Sequence, residues 1–165
     1  MPQAVLGLGS NIAPAKEHLD KAVEALSNLG TVKEVSPYIL SKPEGFTNQP
    51  DFVNAVVILS TPYPPAALLR KLKALEKQLG RTPTFKNGPR VIDLDILFYD
   101  QIEFFDDDDE YMLIIPHPRL QEREFVLKPL SYLLSDYIHP KLHKPVVQLY
   151  RELMKRKGKP DCRIL

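Results

Sequence analysis

Apolar and polar positions fall along this chain in short regular segments, separated by glycine, proline and asparagine. Residues 3–9 (QAVLGLG) run apolar and stop at Gly9-Ser10-Asn11, where a permissive glycine and two capping-type side chains precede a helical period. That pattern predicts strand, tight turn, helix. From Ala15 to Leu29 the positions Leu19, Ala22, Val23, Leu26 and Leu29 recur at spacings of three and four, and Gly30 stands where a C-terminal stop belongs. Thr31 to Leu40, β-branched and of mixed polarity, reads as a strand; Ser41 to Asp51 reads as an ordered loop, and Phe52 to Thr61 as the next strand. Pro64 and Pro65 suit the first turn of a second helix, which Leu68, Leu69, Leu72, Leu75, Glu76 and Leu79 continue until Gly80. Arg81 to Arg90 is a polar, cationic loop, and Val91 to Tyr99 is a strand carrying two aspartates.

The order βαββαβ, folded into one sheet, predicts a ferredoxin-like α+β sandwich: an antiparallel sheet with both helices packed on one face. Beyond it lie an acidic stretch from Asp106 to Glu110 and an extended segment ending in Pro116-His117-Pro118-Arg119. Helical material at 122–135 and 145–157 adds a C-terminal extension. No repeat or linker divides the 165 residues, so a single domain over 1–165 is expected, its tail from about 140 onward without a recognisable motif.

Composition narrows the class of function. Twenty-two Lys and Arg against 21 Asp and Glu leave a net charge of +1, which gives the whole molecule no field suited to nucleic acid or an anionic membrane. The single cysteine, Cys162, allows no intramolecular disulfide, and with four histidines it cannot make a structural zinc site; a reducing setting is expected. The start MPQAVLGLGSN has no basic leader pattern, and no stretch approaches the ~18 apolar residues of a membrane span. The expectation is a cytoplasmic, monomeric chain that acts on small molecules.

Asp93 and Asp95, two apart in a strand, leave from the same face with Cβ atoms about 6–7 Å apart, while Ile92, Leu94, Ile96 and Phe98 fill the other. At an effective dielectric of 20 the two charges repel by roughly 2–3 kcal/mol, and a divalent cation such as Mg²⁺ would relieve this. The plainer alternative is a solvated strand face. Arg81, Lys86 and Arg90 precede the pair and His117, Arg119 and Arg123 follow it, a charge arrangement suited to a polyphosphate, although each arginine alone reads equally as surface. No Walker loop is present, and Gly7-Leu8-Gly9-Ser10 lacks the third glycine of a dinucleotide fingerprint. His117, between prolines, is either a phosphate donor or a turn cap. His18, His139 and His143 read as surface residues, Cys162 has no partner to make it a nucleophile, and Asp106 to Asp109 reads as a solvated loop. Phe46, Phe52 and Phe125 are either stacking partners for a flat ligand or core; Asn54, two residues after Phe52 on one strand face, offers an amide that both donates and accepts.

Taken together these segments resemble the 6-hydroxymethyl-7,8-dihydropterin pyrophosphokinases of folate biosynthesis. The resemblance rests on LGLGSN (6–11), SKPEG (41–45), QPDFVNAV (49–56), LEKQLGR (75–81), NGPRVIDLDIL (87–97) and IPHPRLQEREFVLKPL (115–130), in that order. It implies transfer of pyrophosphate from ATP to the primary hydroxyl of the pterin, with release of AMP. It also implies that Asp93 and Asp95 hold two Mg²⁺ ions, that Arg81 and Arg90 are catalytic contacts to the phosphates, and that His117, Arg123 and Lys86 bind the nucleotide, with Glu76 and Ile96 nearby. The pterin would lie between Phe52 and Phe125, bonded by Asn54 and by the backbone of Pro43, Glu44 and Gly45. A different Mg²⁺-dependent nucleotidyl or phosphoryl transferase is the enzymatic alternative. An RNA-binding module on the same architecture is disfavoured, because AVLGLG and FVNAVVI lack its aromatic sheet motif.

Overall fold

The computed structural model describes residues 1–165. Eight strands and four helices follow one another as β1 (Gln3–Ser10), α1 (Ala15–Leu26), β2 (Thr31–Val35), β3 (Ile39–Ser41), β4 (Phe52–Ser60), α2 (Pro65–Gln78), β5 (Asp93–Tyr99), β6 (Phe104–Asp107), β7 (Met112–Ile115), α3 (Glu124–Leu134), α4 (Val146–Lys157) and β8 (Cys162–Ile164). The main sheet runs β5-β1-β4-β3-β8, with β2 also paired to β4. β1 lies antiparallel between β4 and β5, as a βαββαβ chain requires.

Alternation along the central strands sorts side chains between two hydrophobic layers. Ala4, Leu6 and Leu8 of β1, with Val53, Ala55, Val57 and Leu59 of β4, pack against Leu19, Ala22 and Leu26 of α1 and Leu68 and Leu72 of α2. Val5 and Val56 face the other way, where Val126, Leu127 and Leu130 of α3 and Val146, Leu149 and Leu153 of α4 cover them. The C-terminal helices therefore shield part of the sheet face opposite α1 and α2, and the pocket described below opens on the rest of that face.

Five local features depart from the sequence pattern, each for an identifiable reason. Helix α1 ends at Leu26 rather than Leu29, and Gly30 is no left-handed stop: a Cβ there would come within 2.0 Å of the Ser60 carbonyl oxygen, so the residue is glycine to let two backbones touch. Ser10 and Asn11 cap nothing; Pro14 occupies the N-cap, and both polar side chains are buried. The 31–40 strand is two, because Pro37 has no N–H for the ladder and the Ser36 hydroxyl accepts from Val56 N instead (2.8 Å). Phe98 does not share a face with Ile92, Leu94 and Ile96. Val5 pairs with Phe98 and Leu6 with Ile96, so Leu97 is a bulge, and both Leu97 and Phe98 enter the α3/α4 layer. Finally, Asp106 and Asp107 belong to β6, which forms a small hairpin with β7 rather than a loop, and Asp108 at its turn pairs with Arg70.

The tail beyond residue 140, without a recognisable motif, supplies the helix expected at 145–157 as α4 and then β8, which joins the edge of the main sheet beside β3. At the other end of α2, Gly80 sits just past the helix at φ +102°, the backbone its sequence position predicts. No helix is long and apolar enough to cross a membrane.

Candidate active site

The register of β1 against its two neighbours lays out the site. Gly9 pairs with Asn54 on one side and Asp93 on the other; Gly7 pairs with Val56 and Asp95. Strands spaced ~4.8 Å apart thus set an amide and a carboxylate on one sheet face about 10 Å apart, with bare glycine backbone between them. In sequence Gly9 reads as the permissive glycine of a turn, and Gly7-Leu8-Gly9 as an incomplete dinucleotide loop; both glycines lie inside β1, where a Gly-x-Gly is a sign of close approach. At Gly9 the approach is measurable: a Cβ would sit 2.9 Å from Asn54 Oδ1 and 3.7 Å from the Phe52 ring. Gly9→Ala is expected to push the Asn54 amide aside and weaken binding of the flat acceptor about tenfold, roughly 1.4 kcal/mol, as read by calorimetric titration.

One pocket gathers Phe52, Asn54, Phe125, Glu44, Arg90, Asp93, Asp95, His117 and Arg123 over this glycine floor. Two depressions, both more open, adjoin it. Arg90 is shared with one that Lys73, Glu76 and Arg81 line, and Asp95 and His117 with another that Ile96 lines. The carboxylate pair stands where these surfaces meet. Pro43 and Gly45 flank Glu44 without lining the pocket, and Lys86 is exposed outside all three surfaces. Phe46 packs edge-on against Phe85 (centroids 5.0 Å apart) and is likewise outside.

The two aspartates differ sharply in their partners. Asp93 Oδ1 accepts from Arg81 Nη1 at 2.9 Å and lies 3.9 Å from Arg90 Nη1. Asp95 makes no hydrogen bond or ion pair, and burial, followed by repulsion from Asp93, pushes its carboxyl up to about 7. Around them, Nε of Arg90 and of Arg123 are buried without a hydrogen-bond partner, the latter 3.2 Å from a poorly aligned Glu44 oxygen. A half-buried carboxylate with no donor, beside a second carboxylate, fits a divalent cation. No third His, Cys, Asp or Glu completes a cage, so a cation there would draw its remaining oxygens from a ligand or water. The orphaned guanidinium donors fit the phosphates that would bring them.

Glu76 is a buried hub. It accepts from Leu94 N at 2.7 Å and pairs with Arg81 at 2.7 Å and Lys73 at 3.2 Å, tying α2 to β5 and to the loop beyond. His117 is anchored by its own N–H to the Leu97 carbonyl (2.9 Å), and its Nδ1 accepts from Arg119 N (3.2 Å), which leaves the proton on Nε2. Burial and then Arg123 and Arg119 lower it to about 4, so it is a neutral donor at physiological pH. Asn11 ties the two loops that edge the pocket: it accepts from Arg90 N and donates to Gln49 and to the Pro50 carbonyl. Of the residues first read as surface or inert, His139 is buried, its Nδ1 accepting from Lys141 N and Leu142 N. Cys162 is buried too, its thiol pushed up to about 12, so it holds no reactive thiolate.

A ferredoxin-like sheet that presents paired carboxylates, arginines with two unbonded Nε atoms and an aromatic-walled pocket fits a transferase of phosphoryl-type groups onto a small planar acceptor. Comparison with known proteins narrows the class. A model of the 7,8-dihydro-6-hydroxymethylpterin-pyrophosphokinase family matches residues 5–135, and the chain belongs to that family. The family is one of pyrophosphokinases, diphosphotransferases of folate synthesis. The chain is 38% identical over 169 residues to the 2-amino-4-hydroxy-6-hydroxymethyldihydropteridine pyrophosphokinase of Aquifex aeolicus, covering 100% of this chain and 99% of that one. It is 38% identical to the folic acid synthesis protein fol1 of Schizosaccharomyces pombe over 91% of its own length, but spans only 20% of that longer protein. In fold it is similar to the crystal structure of Plasmodium falciparum HPPK-DHPS with pteroate, with a TM-score of 0.84 at 17% identity, over 99% of this chain and 47% of that one.

Proposed function

We propose that this chain transfers the β,γ-pyrophosphoryl group of ATP to the primary hydroxyl of 6-hydroxymethyl-7,8-dihydropterin, as a cytoplasmic monomer. A new O–Pβ bond forms, the bond between Pβ and the α-phosphate oxygen breaks, AMP leaves, and the hydroxyl proton passes to solvent. The observation that carries this reading is the partnerless Asp95 beside Asp93, with the orphaned Nε atoms of Arg90 and Arg123 on the same pocket.

Mg²⁺, as two ions arriving with ATP, would supply neutralisation of the phosphate oxygens and polarisation of the attacking hydroxyl. Asp93 and Asp95 would hold them. Arg81 and Arg90 now rest on Asp93. Phosphates entering the pocket would draw both guanidinium groups away, freeing Asp93 oxygens for coordination and placing positive charge where it grows in the transition state. His117, neutral and donating from Nε2, and Arg123 would bind the triphosphate. Ile96 would lie beside the nucleotide, and Lys86 would reach the phosphates when its loop folds inward. Glu76 acts through Arg81 and Lys73 rather than on the nucleotide itself.

The acceptor would stack between Phe52 and Phe125 while Asn54 and the 43–45 backbone read its donor and acceptor edge. A site built to satisfy such an edge rejects rings that lack it, because its buried polar groups would be left unpaired.

Chromatography of nucleotides after mixing the protein with ATP, Mg²⁺ and the pterin tests the proposal. Pterin-dependent AMP is expected. ADP in its place would mean a simple kinase, and released pyrophosphate a nucleotidyl transferase; either result overturns this reading.

A further inference from the structure

The residues after α4 lie beyond the stretch that matches the family model and do not line the pocket. Their contacts nevertheless run straight to both of its walls. Glu124, the first residue of α3, stands between Arg123 and Phe125, which line the pocket, but its own side chain points away and is 1% exposed. Every hydrogen-bond donor it uses comes from the chain's end: Lys157 Nζ (3.0 Å), Asp161 N (3.0 Å) and Cys162 N (3.2 Å). Lys157 also pairs with Asp161 at 2.7 Å, which closes the turn after α4 around the carboxylate.

From Cys162 the chain continues as β8 along β3, with Cys162 opposite Ser41, and Leu165 N donates to the Tyr38 carbonyl at 3.0 Å. Ser41 in turn accepts from Asn54 Nδ2 at 2.6 Å. A continuous path of neighbours, Phe125–Glu124–Cys162–Ser41–Asn54, thus joins the aromatic wall on α3 to the amide on β4. With residues 161–165 gone, a buried carboxylate would lose both of its main-chain donors and keep only the Lys157 ammonium, and the start of α3 would have to move until water reached it.

We propose that the C-terminal segment is a brace: through Glu124, a positioning residue, it fixes the distance between Phe125 and Asn54 and so sets the fit of the pocket for its planar acceptor. The acceptor half of this statement rests on the function proposed above. Asp93, Asp95, Arg81 and Arg90 lie on or beside β5, at the opposite edge of the sheet from β8; Arg123, next to Glu124, is the one phosphate contact on the braced helix, and its guanidinium has its own tie to Glu44 (3.2 and 3.3 Å), so the nucleotide half of the site is largely spared. Misplacement of a positioned ring by a fraction of an ångström weakens its binding well before it disturbs groups on another strand.

Two variants test this: deletion of residues 161–165, and full-length Glu124→Gln, which keeps the side chain's size while removing its charge and one acceptor. Amide hydrogen exchange across residues 39–41 and 52–54 is expected to quicken in both. KM for 6-hydroxymethyl-7,8-dihydropterin is expected to rise at least tenfold, with kcat and the ATP dissociation constant within threefold of the parent. Unchanged exchange and KM in Glu124→Gln overturn the proposal even if the deletion fails to fold. An equal loss of ATP and pterin binding also overturns it, because that reports general loosening. If the parent protein makes no AMP from the pterin, the acceptor assignment falls, and the exchange measurement still decides whether the brace exists.

Discussion

Asp95→Asn is expected to lower the pterin-dependent rate of AMP formation by about three orders of magnitude, the scale seen when a charge-stabilising group is removed from a transition state. The fold should gain at the same time. Asp95 has no protein donor, and its carboxyl is raised to about 7 in the folded chain, so ionising it works against folding. The sign follows from linkage: below the ordinary carboxylate range the group is protonated in folded and unfolded chains alike and costs nothing, whereas the penalty grows as pH rises toward 7 and is complete above it. Chemical denaturation without Mg²⁺ should therefore find Asp95→Asn more stable than the parent at pH 8, on the order of 2 kcal/mol, and equal to it near pH 3. Water reaching the pocket keeps this below the full value of the shift. A variant that loses rate and stability together would show that Asp95 supports the strand and not the reaction.

Glu76→Ala should do the reverse, failing first as a fold. The carboxylate satisfies Leu94 N and neutralises Lys73 and Arg81 in a setting only 3% exposed. Removing it strands the Leu94 backbone donor near the start of β5, leaves Lys73 without its counter-charge and leaves Arg81 with Asp93 alone, an effect of about 3–5 kcal/mol by analogy with other broken buried pairs. Urea unfolding should show the midpoint shift, and ATP binding should weaken because Arg81 loses the partner that holds it. A midpoint within about 0.5 kcal/mol of the parent would place Glu76 on the nucleotide instead.

Much of this was legible in the residues. Leucine spacing gave α2 nearly to its ends, with proline at its start and glycine past its finish, and the six motifs that carry the family resemblance all contribute to the site or its frame. What remained hidden has a common cause: it depends on partners distant in sequence. Gly30 answers to the Ser60 carbonyl, Asn11 to Gln49 and Arg90, and Gly9 to Asn54, and no local periodicity encodes those pairings. Glu76 was placed beside the nucleotide by resemblance, whereas its burial between Leu94 and two cations emerges only when α2 docks on β5. The tail carried no motif because one carboxylate and a three-residue strand hold it, a pattern too short to stand out.

The bulge at Leu97 bears on which lengths of β5 the protein can tolerate. One extra residue sends Phe98 into the layer under α3 and α4, and the Leu97 carbonyl, turned out of register with β1, receives the His117 N–H. Deleting Leu97 would restore strict alternation with Phe98 still facing α3 and α4, but it would strip the Leu97 side chain from that layer and remove the carbonyl that holds the histidine loop. Composition along this strand is negotiable between apolar side chains of similar volume, but its count is not. Insertions and deletions should be tolerated at the β6–β7 turn and refused here, so that the placement of the His117 loop against Asp95 depends on one surplus residue in β5 and not on the length of chain between the two.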